Sequence, residues 1–167
     1  MLVQASGVTL DVETTAMALS ATRWPGRLET VEARGTTWLL DGAHNAHGAR
    51  ALGRALRGQR HGCWVVAASG DRDVGALISQ AVKEGAVLPE LVVATQPRVG
   101  TAVPAQLTAE RVRASGVAAV QCIPNVEAAL DRAAMEGPVV VWGSLYMLGE
   151  ARALLLGEPM DAVALSG

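Results

Sequence analysis

An apolar run, Trp38-Leu39-Leu40, gives way without a spacer to Asp41-Gly42-Ala43-His44-Asn45. A carboxylate, an imidazole and a carboxamide fall within five positions of one another. Together they offer an acceptor, a ring that can give or take a proton, and a side chain that both donates and accepts. The hydrophobic run before them and the Ala/Leu/Arg-rich periodic segment after them predict strand, tight turn and helix. In open α/β sheets ligands bind at such a junction.

The elements that must position this cluster repeat one unit. Leu28 to Ala33 and Thr36 to Asp41 predict an antiparallel hairpin about Arg34-Gly35, and four further apolar runs follow: Cys63 to Ala68, Leu91 to Thr95, Ala118 to Ile123 and Val139 to Trp142. Helical candidates lie between and after them: His44 to Leu56, Val74 to Lys83, Leu107 to Ala114, Val126 to Met135 and Leu145 to Leu156. Alternation of this kind predicts right-handed crossovers. The expected fold is therefore a Rossmann-like three-layer α/β domain, with a mostly parallel sheet of about six strands, one antiparallel edge strand and helices on both faces.

Small or polar residues stand just after each run: Asp41-Gly42, Ser69-Gly70-Asp71, Thr95-Gln96-Pro97, Pro124-Asn125 and Gly143-Ser144. A parallel sheet gathers them on one edge, where helix N-termini present unpaired N–H groups suited to phosphate or carboxylate. Turns also use these residue types for backbone reasons alone. No G-x-x-x-x-G-K-[ST] loop or G-x-G-x-x-G fingerprint occurs, and Gly53, Gly58 and Gly62 are too scattered to make either. His44 and His47 offer two nitrogens to a metal without a convincing third ligand, so no metal site is expected. Asp71 and Asp73 suit helix-cap carboxylates better than cation ligands. Gly143-Ser144-Leu145 lacks the spacing of a nucleophile elbow.

At 167 residues, half of them hydrophobic and 18% charged, the chain suits one domain with a substantial core. The net charge of −2, without a basic run, disfavours nucleic acid and acidic membranes as partners. Cys63 and Cys122 fit buried free thiols in a reducing compartment. The opening Met1-Leu-Val-Gln lacks the features of an export signal, and no run reaches the ~18 apolar residues that span a bilayer. The expected location is the cytoplasm.

The succession Trp24-Pro25-Gly26-Arg27-Leu28-Glu29, Leu40-Asp41-Gly42-Ala43-His44-Asn45, Gly70-Asp71-Arg72-Asp73, Thr95-Gln96-Pro97 and Trp142-Gly143-Ser144-Leu145-Tyr146 resembles the C-terminal domain of folylpolyglutamate synthase/dihydrofolate synthase, a branch of the Mur ligase superfamily. The resemblance runs in order from about Arg23 to about Gly157. It implies ATP-dependent amide bond formation. A folate carboxylate is phosphorylated, and the amine of glutamate attacks the acyl phosphate. It further implies that residues 23–167 form the ligase C-terminal domain and residues 1–22 the remnant of an interdomain connection, with Thr9 to Ala21 as a short helix. The partner is then an N-terminal ATPase domain outside this chain, which carries the phosphate loop, the magnesium ligands and most of the site for folate or dihydropteroate; this chain alone should be inactive.

Residue roles follow from the same resemblance. Arg27 looks like the arginine that reaches the terminal phosphate of ATP, with an interface salt bridge as its plainer role. Asp41 is placed to accept ribose hydroxyl bonds, to orient His44 or simply to stabilise the turn. His44 belongs near the reacting carboxylate and incoming amine, binding an anion or relaying a proton. Asn45 fits an adenine edge or a helix cap. Ser144 and Tyr146 resemble the segment near the glutamate pocket, Ser144 as a seat for a carboxylate and Tyr146 more as packing. Two departures stand out: Ala46 replaces a proline common in the family, and Thr101 holds about the place of a family arginine, with Arg98 nearby as its possible substitute. Another Mur-type ligase acting on a cell-wall precursor, and a non-catalytic nucleotide-binding module, are the alternatives.

Overall fold

The computed structural model describes residues 11–21 and 24–159. Helix α1 (Val12–Ala21) opens on Asp11, whose Oδ2 accepts the amide N–H of Thr14. The predicted start of this helix at Thr9, the rest of the expected 1–22 connection and Arg23 lie outside the described residues, Asp11 to Ala21 excepted.

Strands β1 (Glu29–Ala33) and β2 (Thr36–Leu40) form the expected hairpin, pairing Ala33 with Thr36. Arg34 and Gly35 both take positive φ, 50° and 76°, the turn whose twist matches paired strands. The chain continues through α2 (Ala46–Ala55), β3 (Cys63–Val66), α3 (Val74–Lys83), β4 (Leu91–Ala94), α4 (Ala105–Ala114), β5 (Val120–Cys122), α5 (Val126–Ala134), β6 (Val139–Trp142) and α6 (Leu145–Leu156). The sheet has six strands in the order β1-β2-β6-β3-β4-β5. Among the described residues only β1 runs antiparallel, at the edge. Every residue of β3, β4 and β6 is buried, because helices cover both faces.

The two faces sort by alternation. Trp64, Val66, Val92, Val140 and Trp142 pack under Ala49 and Leu52 of α2, Leu77 and Ile78 of α3 and Val112 of α4. Trp38, Leu40, Cys63, Val65, Val93, Val139 and Val141 pack under Leu130 of α5 and Met147, Leu148 and Ala151 of α6. Trp64 and Trp142 meet edge to face with centroids 5.6 Å apart. Burial pushes the Cys63 thiol up to about 12, so it is inert as a nucleophile at neutral pH.

Helices α2 and α3 therefore leave β2 and β3 toward one face, while α6 leaves the intervening β6 toward the other. Among the described residues no helix is long and apolar enough to cross a membrane.

At the opposite edge of the sheet, His61 is half-buried and its Nδ1 has no partner among the described residues. Burial lowers its pKa from the ordinary 6.5. The unfolded chain then binds the proton more readily, so this contribution to stability is complete above pH 6.5 and is lost as the pH falls from there through the lower folded value. The expected outcome is a fall in the thermal midpoint below pH 6.5 that His61→Gln reduces, measured by thermal unfolding between pH 7.5 and 5. An identical pH slope in the variant excludes His61 as its source.

Candidate functional site

The site forms where β2 and β6 end. Asp41 N donates to Val141 O at 3.0 Å and Gly143 N to Ala43 O at 2.9 Å, so the two strand ends stay stitched past their ladder. Gly143 takes φ +105°, and a Cβ there would stand 2.5 Å from the Ala67 carbonyl oxygen. Glycine thus lets β6 turn into α6 against the end of β3.

The segment Trp24 to Glu29 is folded over this edge. Gly26 at φ +69° and Leu28 at φ +47° are both left-handed, and for leucine that conformation costs on the order of 1–3 kcal/mol unless its surroundings hold it. Asp41 does the holding. Its Oδ2 accepts Leu28 N at 3.0 Å and its Oδ1 accepts Ala43 N at 2.9 Å, while Gly42 N donates to Gly26 O at 2.8 Å. Of the roles expected for Asp41, turn stabilisation is the one these bonds perform. With the carboxylate 8% exposed and both oxygens engaged, its geometry favours that role over contact with a ribose.

These bonds present Arg27. Its guanidinium lies over Gly42, where a Cβ would come within 2.5 Å of Nη1, and it makes no hydrogen bond or ion pair among the described residues. An exposed arginine held over a glycine, without a carboxylate partner, leaves its donors available to an anion.

His44 follows. Its Nδ1 lies 2.7 Å from the Gly42 carbonyl oxygen, which can only accept, so Nδ1 carries the proton and Nε2 is the atom left for other partners. Asn45 is the N-cap of α2, its Oδ1 accepting Gly48 N at 2.9 Å, and only its amide nitrogen remains for a ligand. Ser144 is the N-cap of α6, 2% exposed, with its hydroxyl 2.9 Å from that of Ser69. Tyr146 is 41% exposed on the first turn of α6.

Two hollows meet here. Arg27, Asp41, Gly42, Asn45 and Gly48, with His44, line one of about 370 Å³. Ser69, Arg72, Thr101, Ser144 and Tyr146, again with His44, line another of about 430 Å³. His44 is common to both. All six residues singled out from the sequence therefore lie on one rim.

Ser69, Arg72 and Thr101 complete the second hollow. Arg72 donates from Nη1 to Ser69 O at 3.0 Å and is itself exposed; its backbone oxygen accepts from Arg111. The signal for it was the Ser69-Gly70-Asp71-Arg72 turn at the end of β3, where Gly70 at φ +67° folds the chain back. Arg98 takes no part in either hollow. Its backbone N–H and Nε engage the buried Glu150 of α6, so it does not stand in for a family arginine there. Asp73 caps α3 through Gly75 N and Ala76 N, as a helix-start carboxylate should. Among the described residues no three His, Cys, Asp or Glu gather to hold a metal.

The geometry is that of a doubly wound α/β domain with anion-suited hollows at its topological switch point. A family model for the Mur ligase, glutamate ligase domain matches residues 26–145, and the chain belongs to that family. Among solved structures it is similar to folylpolyglutamate synthase of Mycobacterium tuberculosis complexed with ADP, at 26% identity and TM-score 0.76, over 95% of this chain and 38% of that one. It is also similar to folylpolyglutamate synthase of Thermotoga maritima, at 23% identity and TM-score 0.70, over 97% of this chain and 38% of the other. A third likeness is to bifunctional folylpolyglutamate synthase/dihydrofolate synthase of Yersinia pestis, at 23% identity and TM-score 0.70, over 89% and 35%. The chain thus spans little more than a third of each of these proteins. No curated protein sequence matches it.

Proposed function

We propose that this chain is the C-terminal jaw of an ATP-dependent ligase that joins glutamate to a folate carboxylate. In this reading residues 23–167 are the ligase domain, residues 1–22 belong to the connection, and the working partner is an N-terminal ATPase domain that supplies the magnesium ligands and most of the folate or dihydropteroate site. The observation that carries it is the sharing of His44 between the two hollows.

The hollow floored by Gly42 fits a nucleotide's phosphates, since the Arg27 guanidinium above it has no partner among the described residues. ATP, when bound, supplies the phosphoryl group that activates the folate carboxylate. Arg27 offsets charge on the transferred group, and Asn45 keeps an amide donor at the same rim. The neighbouring hollow fits glutamate. Arg72 and the N-terminus of α6 give it two separate seats for carboxylates, while His44, which lines both hollows, offers its unengaged Nε2 to take a proton from the attacking amine. Ser144 acts here as the residue that fixes the start of α6, and Tyr146 as part of the wall.

The test is turnover by the ligase that carries this chain with its N-terminal domain, supplied with ATP, Mg2+, glutamate and either dihydropteroate or a reduced folate. Glutamate incorporation supports the reading. Incorporation of a different amino acid into a cell-wall precursor, with none into folate, defeats it. In the same enzyme Arg72→Ala is expected to raise the KM for glutamate about tenfold, the loss of one charge-assisted hydrogen bond, with the KM for ATP little moved. An unchanged glutamate dependence removes Arg72 from the pocket.

A further inference from the structure

Helix α6 touches the Arg27 segment twice, and Gly42 beneath it once, along one stripe. Leu145 Cδ2 would stand 2.8 Å from a Cβ at Gly42, Leu148 Cδ2 would stand 2.5 Å from a Cβ at Gly26, and Arg152 Nε lies 3.1 Å from each carboxylate oxygen of Glu29. Positions 145, 148 and 152 are spaced three and four apart, so they lie above one another on the same face. The Arg27 segment is thus laid along α6.

Glu29 closes the arrangement. Its Oε2 accepts the N–H of Gly26 at 2.7 Å, at the first of the two left-handed residues that bracket Arg27. Arg152 holds that carboxylate in place and also engages Glu158 just beyond the end of α6. The Glu29 and Arg152 side chains are 21% and 26% exposed, so water competes only partly for the pair.

We propose that Glu29 and Arg152 are positioning residues for Arg27. Resting on the reading of Arg27 given above, the inference makes α6 a strut: its first turn walls the glutamate hollow, and Arg152 farther along it sets the height of the guanidinium over Gly42. Neither residue lines either hollow. Their effect is therefore on turnover rather than on glutamate binding.

The experiment compares Arg27→Ala, Arg152→Ala, Arg152→Lys and Glu29→Gln in the intact ligase, with steady-state kinetics and amide hydrogen exchange over the 24–30 segment. Arg152→Ala is expected to lower kcat on the order of 100-fold, as a misplacement of about 1 Å does, with the KM for glutamate within about twofold. Exchange of the Gly26 and Leu28 amides quickens in Arg152→Ala and Glu29→Gln. Arg152→Lys, which keeps one charged donor for Glu29, recovers most of the turnover. A crippled Arg27→Ala beside an unimpaired Arg152→Ala overturns this inference and leaves the function intact. Normal turnover in Arg27→Ala overturns both. Parallel losses in kcat and glutamate affinity, or unaltered exchange, show a loosened helix in place of a positioning pair.

Discussion

Arg27→Ala in the intact ligase is expected to lower turnover about a thousandfold, the loss of a fixed charge partner for a migrating phosphoryl group. In the proposed function, closure against a second domain would remove water from above the hollow and place the guanidinium in a medium of lower dielectric. The same substitution leaves the fold alone. The Arg27 side chain is exposed and its guanidinium makes no hydrogen bond or ion pair among the described residues, so the thermal midpoint should correspond to a change within about 0.5 kcal/mol. Arg27→Lys keeps the charge without the planar fork and should fall between the two. Gly42→Ala supplies an independent route to the same defect, because its methyl group would occupy the space now held by Nη1 and displace the guanidinium sideways. Turnover and thermal unfolding of the three variants check the assignment, and near-normal turnover in Arg27→Ala removes the residue from the mechanism.

Much of this architecture was legible in one dimension, and the losses have physical causes. Val139–Trp142, Val74–Lys83 and Leu145–Leu156 have the predicted bounds: an all-apolar strand and a strong apolar stripe fix the first two, and the Ser144 N-cap and the left-handed Gly157 bound the third. The run from Cys63 stops at Val66 because Ala67 and Ala68 leave the ladder while staying buried, with Ala68 O accepting from Val103. Composition sees burial and not pairing. Helix α4 starts at Ala105, two residues before the predicted Leu107, directly after Pro104.

The site divides in the same way. Its convergence on one rim followed from the parallel sheet, which puts all the small and polar strand ends on one edge. What stayed hidden were contacts made by left-handed or distant residues. Nothing marks Leu28 as taking φ +47°, so the carboxylate of Asp41 looked available when its oxygens in fact hold the backbone of Leu28 and Ala43. Arg72 stands in the sequence between two carboxylates read as helix caps and carries no signal of its own, and only the fold-back at Gly70 brings it to Ser69 O. Glu29 and Arg152 are 123 residues apart, and their pairing follows from α6 crossing behind the hairpin.

His44→Ala is the substitution expected to damage both hollows at once. Its ring is the one side chain common to them, and the bond from Nδ1 to Gly42 O fixes both its tautomer and its orientation, so Nε2 is a preset acceptor between the phosphate side and the amine side. Loss of an oriented acid or base of this kind costs about 10²–10⁴-fold in the chemical step, and loss of the wall itself weakens the seats on either side. The expected signature is a fall in kcat of about a thousandfold joined to a rise in the KM for glutamate, whereas Arg72→Ala moves the glutamate term alone and Arg27→Ala chiefly kcat. Steric and chemical roles separate in two further variants. His44→Asn can keep the short bond to Gly42 O but has no atom at the Nε2 position, and His44→Gln extends an acceptor toward that position without the anchoring bond. An amide does not take up a proton, so if Nε2 does, both variants lose turnover; if Nε2 only accepts a hydrogen bond, Gln retains more than Asn; if the ring only packs, both retain it, and the assignment of His44 to the chemistry falls.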